Sequence, residues 1–383
     1  MKRLGLGILV LCVAIACAPG TPTAPSPAKP ASAPAAPAPG SPPSGGGASA
    51  TAASVPAASP ANPYLAAPGD APIPITVATS AVTGGFIHLY TAIEAKLFEK
   101  YGFQVEQVTI QGSAPGLSAL AANQVQFYYA AADGTIAGLA SGVDVKLVGN
   151  ALLGLPYVMI ARPEVRSVPD LRGKAIGIAR VGDLSDKLSR LTLEKFGLRP
   201  NQDADLRPIG GSQPERYQAL LAGVVDAVAI TPPLEVQARK DGLNVLYDLA
   251  DLNLPFVYSS VHAANSLIRD NPRMVQRFVA AIGESLHFVE KNPEVARQAL
   301  RKVLNLEDPE SLDSAYNAYA LKIINKRMTI PYDVVTAAIE DAREQGTQVT
   351  VRGGQDIATN QFVDDLERTG FLQKLWGAEL PPK

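Results

Sequence analysis

Cysteine is almost missing from this chain. Cys12 and Cys17 are the only two in 383 residues, and both precede any stretch able to form a core. Disulfides and thiol chemistry are therefore excluded from the folded part. Histidine is nearly as scarce. His88, His262 and His287 lack a second histidine, a cysteine or a patterned carboxylate at ligand spacing, which argues against a metal site. No Gly-x-Ser-x-Gly elbow, no phosphate-loop Gly-x-x-x-x-Gly-Lys-Ser/Thr and no Gly-x-Gly-x-x-Gly after a strand occurs. The 34 basic residues are balanced by 36 acidic ones with no basic stripe, which argues against nucleic acid. Beyond the first residues, no run is long and apolar enough to span a bilayer. These absences point to a chain that binds and does not convert, and no cofactor is expected.

The beginning of the chain reads as an export signal. Lys2 and Arg3 form a short positive region, and residues 4–15 form an apolar one too short to span a membrane comfortably. Ala14-Ile15-Ala16-Cys17 then resembles a bacterial lipobox, which implies cleavage before Cys17 and lipidation of its thiol. An ordinary secretory signal is the alternative. From residue 18 to about 74 the chain is mostly Pro, Ala, Ser, Gly and Thr, with Lys29 and Asp70 its only charges. Such a segment cannot bury enough apolar surface to offset its ordering entropy, and it reads as a disordered tether. About 310 residues remain, enough for two domains with cores.

That remainder contains the same α/β passage twice. Ile-Gln-Gly-Ser-Ala-Pro at 110–115 matches Ile-Gly-Gly-Ser-Gln-Pro at 209–214. Ala-Leu-x-Ala follows at 119–122 and 219–222, then apolar strands at 125–130 and 225–230, then Gly-x-x-Val at 142–145 and 242–245. Two similar lobes imply a cleft between them, where a small molecule would sit. With only two copies, a stacked solenoid is not indicated.

Strands are predicted at 75–79, 105–110, 125–130 and 145–149, and again at 174–179, 205–209, 225–230 and 245–248. A helix is predicted over 87–100, with Gly102 at its end. Others are predicted over 183–196, 213–222 and 233–240. Ser113 and Ser212 are candidate helix caps, and Asp133 a candidate cap for a helix reaching Ala140. The alternation predicts a mostly parallel α/β sheet in each lobe. Extended passages at 155–162 and 254–262 read as crossovers, making the second lobe (161–255) an insertion in the first (75–160 and 256–383). Past His262 the pattern is helical: 272–291, then 293–303, 309–324, 331–345 and 360–368, packed on the first lobe.

These residues resemble a known family. The runs 86–103 and 119–127, the Gly-Ser turn at 112–113, Leu171-Arg172-Gly173-Lys174, and 210–233 with Ala-Leu-Leu-Ala-Gly-Val-Val-Asp at 219–226 carry the resemblance. They are similar to the type II periplasmic solute-binding proteins of ABC importers, in the nitrate/sulfonate/taurine and thiamine-pyrimidine-precursor (NMT1-like) branch. The resemblance spans roughly residues 75–300. It implies an α/β fold of two Rossmann-like lobes joined by two crossover strands, with extra C-terminal helices on the first. It also implies a small organic solute in the cleft, delivery to a membrane permease, and a monomer anchored by lipid outside the cytosol. One departure stands out. The family's Ser/Thr-Pro after the third strand is kept at Thr231-Pro232 but replaced by Ala131-Ala132-Asp133-Gly134 in the first lobe. A carboxylate there puts a simple anionic solute in question. Rival readings are a sensory module serving a receptor and a pyrimidine-precursor synthase of the same fold, the latter disfavoured by the missing cysteines.

In open α/β sheets, ligands bind beyond the carboxyl ends of strands, at helix N-termini. Candidate ligand residues follow from that rule. Ser80, Thr83, Gly84, Gly85 and Phe86 form the first turn, where glycines would let N–H groups approach a solute. Gly112-Ser113 and Gly211-Ser212 are paired turns. Ala132, Asp133, Thr231 and Pro232 follow the third strand of each lobe. Arg180 offers a planar fork for a carboxylate or sulfonate, and Gly182 and Asp183 begin the next helix. Tyr157, Phe256 and Tyr258 lie on the crossovers and could stack on a ring. Each has a plain alternative: caps for Ser113, Ser212, Asp133 and Asp183, an ion pair for Arg180, and core packing for the aromatics. His88, on the first helix, is placed within reach of the cleft mouth.

Overall fold

A computed structural model describes residues 62–382 apart from Gly211, and only the backbone of Asp133. Cys17, the lipobox and most of the tether lie outside the described residues. The first four strands are β1 (Ile73–Thr79), β2 (Phe103–Thr109), β3 (Phe127–Ala130) and β4 (Val145–Leu153). The next five are β5 (Val158–Ala161), β6 (Ala175–Ile178), β7 (Asp205–Pro208), β8 (Ala227–Ile230) and β9 (Asn244–Asp248), and β10 (Val257–Ala264) closes the set. They form two five-stranded sheets, ordered β2-β1-β3-β10-β4 and β7-β6-β8-β5-β9. Each sheet holds one antiparallel strand next to a crossover, β5 in the second and β10 in the first. β5 follows β4 directly yet pairs with β8 and β9, and β10 follows β9 yet pairs with β3 and β4. The sheets are therefore mixed, with β1, β2 and β3, and likewise β6, β7 and β8, paired in parallel. The two crossovers are shorter than the extended passages suggested, because β5 and β10 are themselves sheet strands.

The duplication is visible in the register. Val77 lies opposite Phe127 in the first sheet and Ile176 opposite Ala227 in the second. First strands thus correspond at a spacing of 99 residues and third strands at 100.

Helices α1 (Ile87–Glu94), α2 (Leu97–Lys100), α3 (Ser113–Ala121) and α4 (Ala132–Ala140) cover the first sheet. The single helix expected over 87–100 is broken at Lys96, which is left-handed (φ 54°). α5 (Leu184–Lys195), α6 (Gln213–Leu221) and α7 (Leu234–Lys240) cover the second sheet. The C-terminal part is α8 (Asn265–Asp270), α9 (Pro272–Lys291), α10 (Pro293–Leu304), α11 (Pro309–Tyr316), a π-helical turn (Asn317–Lys322) and α12 (Tyr332–Glu344). α13 (Gly354–Ile357), α14 (Gln361–Arg368) and α15 (Phe371–Trp376) complete it.

α9 runs along the first sheet with one apolar face buried: Val275, Phe278, Val279, Ile282, Leu286 and Val289. Phe278 stacks on Phe127 with ring centroids 3.7 Å apart, which fixes the helix against β3. Part of the Pro/Ala-rich segment also packs here. Tyr64 is buried, its ring edge-on to Phe371 at 5.4 Å and its hydroxyl donating to Asp365 Oδ2 at 2.9 Å. The aromatic side chain supplies the apolar area that the surrounding composition lacks.

Candidate functional site

The loops that follow the parallel strands carry the candidate residues, as the strand-end rule anticipates. After β1, Ser80 N donates to Tyr129 O at 2.9 Å and Ser80 O accepts from Gly112 N at 3.3 Å, so the first two turns of this half are tied together. Thr83 caps a 3-10 turn over Gly84–Phe86, its Oγ1 accepting from Gly85 N at 3.3 Å. Both glycines are required by close approach, but to tyrosines of the protein itself. A Cβ on Gly84 would lie 2.6 Å from a Tyr319 ring carbon, and one on Gly85 2.6 Å from a Tyr258 ring carbon. The Phe86 ring is buried edge-on to Tyr129 (5.8 Å) and Tyr90 (6.5 Å), so it belongs to the core.

Two expected caps are corrected. α3 starts at Ser113 with Gly112 as its N-cap (φ 87°), so Ser113 is the first helical residue; its Oγ is aimed at Gly134, where a Cβ would come within 2.5 Å. α4 starts at Ala132 after an Ala131 N-cap, which puts Asp133 inside the first turn. The cap lies one residue earlier than expected in α3 and two residues earlier in α4.

The second sheet's loops mirror these. Arg180 is exposed in the turn after β6 and forms no ion pair among the described residues. Gly182 N donates to Asp186 Oδ2 at 2.8 Å, and Gly182 faces the Gln345 side chain just past α12. Asp183 caps α5, its Oδ1 accepting from Asp186 N at 3.0 Å and from Ser185 Oγ at 2.7 Å. Gly211 lies outside the described residues. Ser212 caps α6 in a capping box with Glu215. Thr231 is held by Gln213, whose Oε1 accepts from Thr231 N at 2.8 Å and Oγ1 at 3.1 Å. Pro232 O accepts from the Tyr319 hydroxyl at 3.0 Å.

The crossover aromatics gather around Tyr258. Tyr157 is edge-on to it at 6.4 Å, Phe256 tilted at 6.4 Å and Tyr319 stacked at 6.1 Å. Tyr258 and Tyr319 are buried, and desolvation raises both phenol pKa values.

His88 does not reach the cleft mouth. It is fully buried beside Tyr129, ring centroids 5.3 Å apart, and desolvation pushes its pKa down to about 3. The neutral ring is the form that an apolar surrounding favours.

Sequence reasoning missed Tyr319 and Arg216. Arg216, in the first turn of α6, is 6 % exposed; burial lowers its pKa, while the charge of Asp183 opposes that change. The signal was in the repeat. At the spacing of 100 set by β3 and β8, Arg216 corresponds to Gly116 and Val228 to Tyr128. In the first half the Tyr128 ring lies so close to Gly116 that a Cβ would come within 2.1 Å. In the second half the corresponding positions hold a buried guanidinium and a buried valine. Tyr319 gave no signal, because its spacing in 309–324 fits an ordinary helix face.

One groove lies apart from these loops. About 550 Å³ in volume, it is lined by Leu153, Ile324, Arg327, Pro331, Glu367 and Pro382, all from the half that holds the first sheet. The loops at the strand ends remain the better candidate site, since in both halves they join a parallel strand to the start of a helix.

A family model described as NMT1/THI5 like matches residues 84–296. A Brucella abortus (strain 2308) protein named as a candidate binding protein is 28 % identical over 256 residues, covering 65 % of this chain and 77 % of that protein. The riboflavin-binding protein RibY of Chloroflexus aurantiacus is 27 % identical over 316 residues, 77 % of this chain and 76 % of RibY. Among solved structures, the periplasmic aliphatic sulphonate binding protein SsuA from Escherichia coli aligns with a TM-score of 0.60 at 21 % identity, covering 75 % of this chain and 92 % of that one.

Proposed function

The chain belongs to the NMT1/THI5-like family, and from that premise we propose that it is the solute-binding component of an ABC importer. It captures a small organic molecule between its two sheets and passes it to a membrane permease. The supporting observation is the pair of five-stranded sheets with the same strand-order pattern, linked by two crossovers whose Tyr157 and Tyr258 rings meet at 6.4 Å. In such a fold a solute that touches both halves favours the closed arrangement. Binding without conversion suits the matched region, which contains no cysteine.

The solute contacts we assign are Ser80 and Ser113 from the first half and Arg180, Asp183, Thr231 and the buried Arg216 from the second. Tyr157 and Phe256 offer aromatic faces. Export and anchoring through a lipidated Cys17 complete the reading, with the Pro/Ala-rich segment as spacer. Replacing Cys17 by serine should release the protein from the membrane fraction.

The test is a thermal-shift screen across sulfonates, aromatic acids, pyrimidines, amines and riboflavin. A ligand bound only by the native state, at a hundredfold its dissociation constant, adds about 2.7 kcal/mol and raises the melting temperature. For an anionic hit, Arg216→Met should weaken binding at least tenfold, as expected on losing a charge-assisted hydrogen bond. No stabilisation by any compound class would sink the reading, and full affinity in Arg216→Met would remove that residue from the site.

A further inference from the structure

We infer that residues 317–325 form a third connection between the two halves, with Tyr319 as the pin that senses closure. The two chain crossovers are covalent; this one is made by side chains and sheet-like pairing. On the side of the first sheet, Leu153 N donates to Ile323 O at 2.8 Å and Asn325 N to Ala151 O at 2.9 Å, so the segment runs beside the end of β4 into the first crossover. Ile323 packs on Gly154 so closely that a Cβ there would lie 2.7 Å away, and Gly154 has φ 146°, a conformation open to glycine. On the side of the second sheet, Lys322 pairs with Asp248 at the end of β9.

Tyr319 touches both halves at once. Its ring stacks on Tyr258 and fills the space over Gly84, while its hydroxyl donates to Pro232 O in the loop after β8. The ring contacts belong to one half and the hydrogen bond to the other. Separating the halves therefore breaks the hydrogen bond and leaves the ring packing in place. Its first part, Asn317–Lys322, is π-helical, a rare geometry often found where a helix is adapted to a functional position. Solute binding is coupled to this bond because Thr231, next to Pro232, and Gly84 are in the strand-end loops assigned above to the site.

The inference adds to the binding-protein reading but is tested without any solute, so the two can fail separately. Val82 and Val181 are the third residues past β1 and β6, one in each half, and are 55 % and 68 % exposed. The full chain carrying Cys12→Ser and Cys17→Ser accepts nitroxide labels at Val82→Cys and Val181→Cys, and pulsed dipolar spectroscopy then reports the separation of the halves. Tyr319→Phe keeps the ring and removes the hydrogen bond. It should lower the ratio of short-distance to long-distance populations by about two- to tenfold, the effect of one hydrogen bond, with the circular-dichroism melt unchanged. An unchanged distance distribution in Tyr319→Phe would overturn the inference. Should that variant fail to fold, Lys322→Ala at the exposed end of the turn carries the test, and unchanged distances there would overturn it equally.

Discussion

At the residue scale, the packing around Tyr258 and Tyr319 leaves no room for even one methyl group. Both tyrosines are buried, so neither ring can swing away from a new Cβ on Gly84 or Gly85. Gly85→Ala should therefore destabilise the protein by about 1–3 kcal/mol, the usual cost of overpacking, measured as a lower urea midpoint. Histidine protonation gives a second prediction. His88 and His262 have folded pKa values near 3 and 4, both lowered by burial from 6.5. Between pH 6.5 and those values the unfolded chain binds protons that the folded chain refuses, so stability falls as pH drops. Each histidine should cost about 2 kcal/mol between pH 7 and pH 5, and His88→Met should remove its share of that slope. A variant with the wild-type slope would mean that His88 is hydrated in solution. The sequence marked His88 as scarce but misplaced it. It was expected within reach of the cleft mouth, whereas α1 is buried at every residue from Ile87 to Ala92 because α9 and α10 cover the side away from the sheet.

At the scale of elements, legibility followed the strength of the local signal. α9 was predicted to the residue because Asn271 caps it, Pro272 begins it and an unbroken apolar stripe fills it. α5 was predicted within a residue at each end, and its Asp183 cap is real. That cap yields a measurable effect. Asp183→Ala should cost about 1 kcal/mol in chemical denaturation, and a clearly larger loss would show that the Gly182–Asp186 turn collapses with it. The starts of α3 and α4 were misread because Gly112 and Ala131 leave the cap without a side-chain acceptor, so the nearest polar residue drew the assignment. The break at Lys96 was hidden for a related reason: a left-handed lysine carries no compositional mark. The π-helical turn was hidden because one extra residue per turn barely disturbs the spacing of Leu312, Ala315, Tyr316 and Tyr319. Among the candidate site residues, turn positions were legible from glycine and hydroxyl chemistry. Arg216 and Tyr319 were not, since each owes its place to a partner distant in sequence.

At the scale of the whole molecule, the described arrangement joins the halves on both flanks of the crossovers. On one flank are the Tyr319 hydrogen bond, the Lys322–Asp248 pair, the Ser314–Glu235 hydrogen bond and Lys240, 2.8 Å from Asp308. On the other flank, among the described residues, Lys187 of α5 pairs with Asp341 of α12 at 2.5 Å, close to the contact between Gly182 and Gln345. Lys187 and Asp341 are each partly exposed, so water and salt screen their attraction. The two flanks should consequently respond differently to ionic strength. The buried Tyr319 bond is insensitive, while the Lys187–Asp341 contact weakens as salt rises. Asp341→Lys places like charges face to face and should favour the open arrangement by up to about fivefold at low salt, with little effect at high salt. The exchange Lys187→Asp with Asp341→Lys restores an opposite-charge pair and should recover most of the closed population. Small-angle scattering at two salt concentrations measures both. If the single reversal leaves the scattering profile unchanged at low salt, this flank does not hold the halves together, and closure depends on the crossover side alone.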